Sequence, residues 1–336
     1  MSIEAAVKTL LGGQRLSADD FALVFEHIIS GAMADQDIAD VLGALEAIGV
    51  SDRELHIGAK ILRRKMLAVS APKGAMDIVG TGGDSLSTYN ISTACCFVVA
   101  GAGVFVAKHG NRAVSSKSGA SQVLQELGVK LDIDVAQTED CIRTAGAGFL
   151  FAPNHHKAMG NVAKARAILG TRSLFNCLGP LVNPANVEYI LLGVFEDKLR
   201  DLYARALLAL GAKRALIVHG MDGMDEITTT APTMVSELKN GVITEYEITP
   251  EQYGLSRVDL SDIEGGTPAQ NALALQGVLD GQKNAYRDIV LLNSGAALYA
   301  ACKVESIADG IALARTSIDG GKANATLQAL IEASNA

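Results

Sequence analysis

The chain has no tryptophan, and aromatic residues make up only 4% of it. That leaves little from which to build a stacking platform for nucleic-acid bases. Positive charge is also short. Lys and Arg number 29 against 37 Asp and Glu, giving a formal net charge of -8 and a pI near 5.3. This balance opposes the basic footprint of non-specific nucleic-acid binding, although a local basic pocket remains open. The five cysteines (Cys95, Cys96, Cys141, Cys177 and Cys302) show no paired spacing. An odd count without paired spacing argues against a disulfide framework and fits reduced thiols in a cytoplasmic protein. No uninterrupted apolar run reaches the ~18 residues of a membrane span, so no membrane partner is expected. The opening stretch 1–8 lacks a basic region followed by an apolar one, and no secretory signal is expected.

Hydrophobic residues supply 49% and charged residues 20% of the 336 positions, enough for a sizeable core. The length predicts two domains or one large α/β domain. Residues 1–72 read as helices only. Ile3, Val7, Leu10 and Leu11 have helical spacing before Gly12-Gly13. Ser17 can cap a segment carrying Phe21, Val24, Phe25 and Ile28. Ile38, Val41, Leu42 and Leu45 mark a third helix, and Ser51 with Glu54 is a capping box for a fourth. The run Arg63-Arg64-Lys65 reads as a solvated helix end in so acidic a chain. The texture changes at residue 73. Short apolar strands (76–79, 104–107, 148–152, 189–193 and 214–218) alternate with helical segments (91–102, 118–127, 139–145 and 199–210), which predicts a mostly parallel central sheet. Residues 154–186 interrupt that rhythm, with a helix over 158–169, and read as a return to the helical domain. Residues 234–248 predict a hairpin around Asn240-Gly241, and the chain from about Pro268 onward is mostly helical. The expected fold is therefore α/β, with a small N-terminal helical domain and a larger α/β domain spanning 73–336.

Two loops follow strands in this reading. The first is Gly80-Thr81-Gly82-Gly83-Asp84, leading to Thr88, Asn90, Ile91, Ser92 and Thr93. The second is Lys108-His109-Gly110-Asn111-Arg112, followed by Ser115, Ser116, Ser118 and Ala120. Glycines let backbone N–H groups approach an anion, and a following helix adds its positive N-terminal end. The first loop has neither the Gly-Lys-Ser/Thr closure of a Walker motif nor a Gly-x-Gly-x-x-Gly fingerprint, and alone it is equally ordinary loop chemistry. The second loop shifts the balance toward phosphate, with Lys108 as a point charge and serine hydroxyls as donors at a neighbouring strand end. Asp225-Glu226 follows another strand. Adjacent acids on a loop are usually just solvated, but hard oxygen ligands beside a polyphosphate are how Mg²⁺ is held, and Ser92 could add a hydroxyl. His155-His156 lacks the further ligands that zinc needs and reads as a pocket wall. Cys95-Cys96 lies on an apolar helix and reads as packing. Arg166 is either a solvated charge or a fork for a carboxylate; spacing does not decide.

Taken together, these motifs resemble the anthranilate phosphoribosyltransferase family over nearly the whole chain. Gly80–Asp84 looks like the family's pyrophosphate loop, and Asn90–Thr93 like its next segment, in which Ser92 corresponds to a magnesium ligand. Lys108–Arg112 matches the loop that touches both substrates. The resemblance implies phosphoribosyl pyrophosphate contacts at Gly80, Gly83, Asp84, Thr88, Asn90, Ile91, Ser92, Thr93, Lys108, His109, Gly110, Asn111, Arg112, Ser115, Ser116 and Ala120. It implies anthranilate contacts at Gly80, Asn111, His156 and Arg166, and Mg²⁺ ligation by Ser92, Asp225 and Glu226. It further implies a hinge between the two domains, a homodimer formed through the helical domain, and possible association with anthranilate synthase subunits. The implied chemistry is a dissociative displacement at the ribose anomeric carbon with loss of pyrophosphate. Positioning and charge neutralisation matter more there than a strong base, so no general base is assigned. Three positions depart from the family's usual residues: Ala120 in place of Ser, Gln122 in place of Asp, and Lys157 in place of Pro.

Two other readings fit parts of the chain. A pyrimidine nucleoside phosphorylase would share the architecture but has no pyrophosphate to hold through a metal. A non-catalytic nucleic-acid-binding relative would need a basic groove, which the net charge of -8 opposes.

Overall fold

The computed structural model describes residues 1–84, 86–112 and 118–336. Its first four helices are α1 (Ile3–Leu11), α2 (Ala18–Ile29), α3 (Asp35–Ile48) and α4 (Asp52–Lys65). Ser17 caps α2 by accepting from the Asp20 N–H. Ser51 and Glu54 form the capping box of α4. Glu54 also accepts from Arg15 at 2.6 Å, which ties the α1–α2 connection to the start of α4.

The remainder alternates: β1 (Met76–Gly80), α5 (Ile91–Gly101), β2 (Val106–Gly110), α6 (Ala120–Glu126), α7 (Val135–Ala145) and β3 (Ala147–Phe151). Three short helices follow, α8 (Ala152–His155), α9 (Ala163–Leu169) and α10 (Leu174–Leu178), with a 3₁₀ turn over Lys157–Val162. Then come β4 (Tyr189–Gly193), α11 (Leu199–Ala209), β5 (Arg214–Gly220), β6 (Thr233–Lys239) and β7 (Val242–Ile248). Four helices close the chain: α12 (Pro268–Leu279), α13 (Ala285–Ala300), α14 (Ile307–Asp319) and α15 (Lys322–Asn335).

The strands form one seven-stranded sheet in the order β3-β2-β1-β4-β5-β6-β7. From β3 to β5 all pairing is parallel; β6 and β7 add an antiparallel edge. The β6–β7 turn is Asn240-Gly241, with φ of 53° and 78°. Positive φ at both central residues is what a type I′ hairpin requires. Parallel strands covered on both faces read as continuous apolar runs, and β4 does: Leu191 faces one core while Ile190 and Leu192 face the other. The first core joins the sheet to α5, α13, α14 and α15. The second joins it to α1–α4, α10 and α11. The α8–α10 stretch packs back onto the first helices. The Asn161 side chain donates to Ile29 O at 2.9 Å, and Gly58 of α4 leaves space for Leu178.

Several predicted boundaries move, each for a local reason. The strand expected at 104–107 lies at Val106–Gly110, because Gly103 (φ 88°) and Val104 complete the exit turn of α5. Lys108 is therefore inside a strand, not in a loop. Helix α7 starts four residues before position 139 because Asp134 caps it, accepting from the Gln137 N–H at 2.8 Å. The helix expected over 158–169 is split into a 3₁₀ turn and α9.

Candidate active site

Strand β1 has β2 on one side and β4 on the other, so the chain order reverses between β1 and β4. In open α/β sheets a crevice forms at the carboxyl ends of such strands. Those ends are Gly80 and Gly193, paired in register. Thr81 continues the join: its N–H donates to Gly193 O at 2.9 Å, and its hydroxyl accepts from the Phe195 N–H at 3.1 Å.

The Asp225-Glu226 loop lies across this junction. A Cβ on Gly80 would collide with the Asp225 carboxylate, and a Cβ on Gly193 would fall on the Asp225 backbone. Both glycines are needed to seat the acid. Asp225 then accepts from the Gly82 N–H at 2.7 Å, so the first glycine loop and the acidic loop are one structure. Asp225 is buried and Glu226 is half-buried. Burial, and then Asp84 nearby, push the Asp225 carboxyl upward. Burial and then Asp225 itself do the same to Glu226, with Lys108 and the Ser92 N–H opposing. A divalent cation would relieve this crowding of acids. Among the described residues, no group of three or more His, Cys, Asp and Glu is arranged to hold a metal alone. The donor set therefore fits a hard ion that takes its remaining ligands from a phosphorylated substrate and water.

Lys108 points into the same place. Its ammonium is buried and donates to Ile78 O at 2.5 Å and to Ser92 Oγ at 3.0 Å. An ammonium has three donors, so one remains for a ligand. Ser92 opens α5, and its hydroxyl is already positioned by Lys108. Just before it, Asn90 is fixed by the chain's last third. Its side-chain oxygen accepts from Asn271 at 2.9 Å, and its carbonyl accepts from the Tyr286 hydroxyl at 3.1 Å. Thr88 is bridged to Glu264. Ile91 sits in the core, with its N–H bonded to Tyr89 O at 2.9 Å, and the buried Thr93 hydroxyl has no partner among the described residues. Gly83 and Asp84 lie in the loop itself, partly exposed.

His109 and His156 form the next wall, with ring centroids 5.1 Å apart. His109 Nδ1 lies 3.2 Å from Gly179 O, which assigns the proton to Nδ1 and leaves Nε2 as an acceptor. Burial holds both rings neutral, pushing His109 down to about 3 and His156 to about 4. Each Nε2 is buried without a partner among the described residues. Beneath them, the buried Asp77 accepts from the His109 N–H at 3.1 Å and from Asn183 at 2.7 Å. Gly110 leaves room for the Phe149 ring. Asn111 and Arg112 are exposed at the end of β2, and Arg112 lies 5.7 Å from the Phe151 ring centroid. Ser115 and Ser116 lie outside the described residues. Ala120 begins α6, and Gln122 accepts from the Gly119 N–H at 3.0 Å.

Arg166 lies on α9, half-buried, its guanidinium pushed down by burial. That guanidinium has no hydrogen-bond or ion-pair partner among the described residues. Sequence reasoning missed Arg172, which donates to Gly83 O at 2.6 Å and stacks 3.8 Å over the Phe195 ring centroid. It also missed Asp77, Asn183 and Gly193, whose isolated positions in the sequence carry no motif.

Residues 72–324 match the glycosyl transferase family, a/b domain, and this is the class that the sheet and its crevice define. The whole chain goes further. It is 49% identical over 334 residues to the anthranilate phosphoribosyltransferase of Methylocella silvestris, covering 98% of this chain and 96% of that one. It is 50% identical over 323 residues to that of Rhizobium meliloti, covering 96% of each. The crystal structure of the Thermus thermophilus enzyme superposes with a TM-score of 0.93 at 38% identity, covering 98% of this chain and 99% of that one. The Saccharomyces cerevisiae enzyme, in complex with phosphoribosyl pyrophosphate and magnesium, superposes at 0.90 with 28% identity, covering 99% and 98%. The chain belongs to the anthranilate phosphoribosyltransferase family.

Proposed function

We propose that the protein transfers the phosphoribosyl group of phosphoribosyl pyrophosphate to the amine of anthranilate, releasing pyrophosphate and forming N-(5-phosphoribosyl)anthranilate in tryptophan biosynthesis. The observation that carries this reading is the seating of Asp225-Glu226 against Gly80, Gly82 and Gly193. That arrangement places an acid pair beside a glycine loop, as a metal-bound polyphosphate requires.

Asp225, Glu226 and Ser92 would hold Mg²⁺, which on binding neutralises the departing pyrophosphate. The backbone of the 80–84 loop binds the diphosphate, and the spare Lys108 donor supports the ribosyl end. The bond from the anomeric carbon to pyrophosphate oxygen breaks as the bond to the anthranilate nitrogen forms. The nitrogen then gives its extra proton to water. Arg166, whose guanidinium has no partner among the described residues and is partly desolvated, is suited to hold the anthranilate carboxylate as a fork. Asn111 and the His109–His156 wall flank the same substrate, and the acceptor Nε2 of His109 suits its amine. Catalysis here is positioning and electrostatics, with no base assigned.

A hinge between the helical part (1–72 with 154–186) and the α/β part, closing over both substrates, is part of this proposal. So are a homodimer through the helical part, association with anthranilate synthase subunits, and a cytoplasmic location. Among the described residues, no helix is long and apolar enough to cross a membrane. The test offers the protein two substrate pairs. Anthranilate with phosphoribosyl pyrophosphate should release pyrophosphate, while thymidine with inorganic phosphate should yield no free base. The reverse pattern would establish a nucleoside phosphorylase instead.

A further inference from the structure

The acid pair lies between two braces that no motif marks. On its carboxyl side is Ile227, and on its amino side Asp222 and Met224. Asn293, from the middle of α13, is completely buried. Its side-chain oxygen accepts from the Ile227 N–H at 2.9 Å, and its amide nitrogen donates to Ile227 O at 2.7 Å. The same nitrogen donates to Ile289 O at 2.9 Å, which fixes the amide plane on its own helix. One side chain therefore holds both backbone groups of the residue next to Glu226, as a neighbouring strand would.

On the other side, Asp222 accepts from the Met224 N–H at 3.1 Å and from the Thr228 hydroxyl at 2.7 Å, and it also accepts from the Thr230 hydroxyl. Thr228 Oγ1 accepts in turn from the Thr230 N–H at 3.0 Å. The backbone is thus pinned immediately before and immediately after the two carboxylates. Adjacent like charges favour a loop that swings them apart into water, and the braces oppose that motion.

We propose that Asn293 and Asp222 are positioning residues for the transfer reaction, holding Asp225 and Glu226 as a preformed pair of oxygen ligands for a divalent cation. The inference rests on the reading of that pair as the cation ligands. Each brace acts through the loop backbone, by the bonds to Met224 and Ile227. Removing an outer partner of a metal site typically costs ~10–100-fold in metal affinity. Losing the brace should therefore be felt in the magnesium requirement and little in anthranilate binding.

The test uses Asn293→Leu, which keeps roughly the side-chain size, and Asp222→Ala on the partly exposed side of the loop. Binding of phosphoribosyl pyrophosphate is followed by calorimetry across a magnesium titration, alongside steady-state kinetics and amide hydrogen exchange. The magnesium concentration for half-saturation should rise ~10-fold or more in both variants. The KM for anthranilate should stay within about twofold, since neither brace reaches that half of the site. Exchange at the amides of 224–227 should quicken. Folded variants with unchanged magnesium half-saturation, or with anthranilate KM raised to the same degree, would overturn the inference. If Asn293→Leu does not fold, Asp222→Ala decides alone by the same two readouts. The double variant Asp225→Asn, Glu226→Gln separates the two claims. If it retains normal magnesium dependence, the ligand assignment fails; if it loses that dependence while the brace variants keep it, only the brace fails.

Discussion

The backbone N–H of Gly82 and the carboxylate of Asp225 are joined by a 2.7 Å hydrogen bond across 143 positions of sequence. Through that bond the glycine loop after β1 and the acidic loop after β5 become one surface. The bond also makes the site depend on close backbone approach, most severely at Gly193, where a Cβ has no space beside Asp225.

Gly193→Ala is accordingly expected to displace the acidic loop. Overpacking of this kind costs ~1–3 kcal/mol of stability. Turnover should suffer more than stability, because a displacement near 1 Å at a reacting centre costs about a hundredfold. Thermal unfolding and kcat measured on the same preparation check this. A variant with a lowered melting temperature but undiminished kcat would show that the loop is not seated as described.

Arg166→Ala should raise the KM for anthranilate while leaving phosphoribosyl pyrophosphate affinity largely intact. A charge-assisted bond to a carboxylate is worth ~1.5–3 kcal/mol, so the expected rise is ~10–150-fold. Equal weakening of both substrates would mean that Arg166 shapes the site as a whole.

Much of this was legible in the sequence, and the reasons are specific. The α4 capping box, the apolar run of β4 and the Asn240-Gly241 turn are local signals, and each element formed where its own residues dictated. The glycine loop, Lys108 and the acid pair were visible as residue types. What was hidden depends on contacts between distant segments. Lys108 reads as the start of a loop, and only the Ile78 carbonyl and the Ser92 hydroxyl explain a buried ammonium within a strand. Asp77 reads as an ordinary strand residue until Asn183 and the His109 N–H are placed around it. Asn293 lies in an apolar helix, and its partner Ile227 is 66 positions away.

The buried histidines give a pH prediction. His156 is held at about 4 and His109 at about 3, against an ordinary value of 6.5, so the unfolded chain binds more protons than the folded one between those limits. Their contribution to stability is present above pH 6.5 and is lost as pH falls toward the folded values, with a slope of at most about 1.4 kcal/mol per pH unit per residue. Asp77, raised to about 6 by burial, acts in the opposite direction below that pH. The difference between wild type and His156→Gln isolates the histidine. Any stability advantage of wild type at pH 7.5 should shrink by pH 5 in denaturant titrations. An advantage that stays constant over that range would contradict a buried neutral His156.

The most direct measurement follows anthranilate fluorescence as purified protein is mixed with anthranilate, phosphoribosyl pyrophosphate and Mg²⁺. The signal should fall with time, with one pyrophosphate released per anthranilate consumed, and should stay flat when magnesium is chelated or when Asp225→Asn, Glu226→Gln replaces wild type. Well-folded wild-type protein that consumes no anthranilate under these conditions would contradict the account.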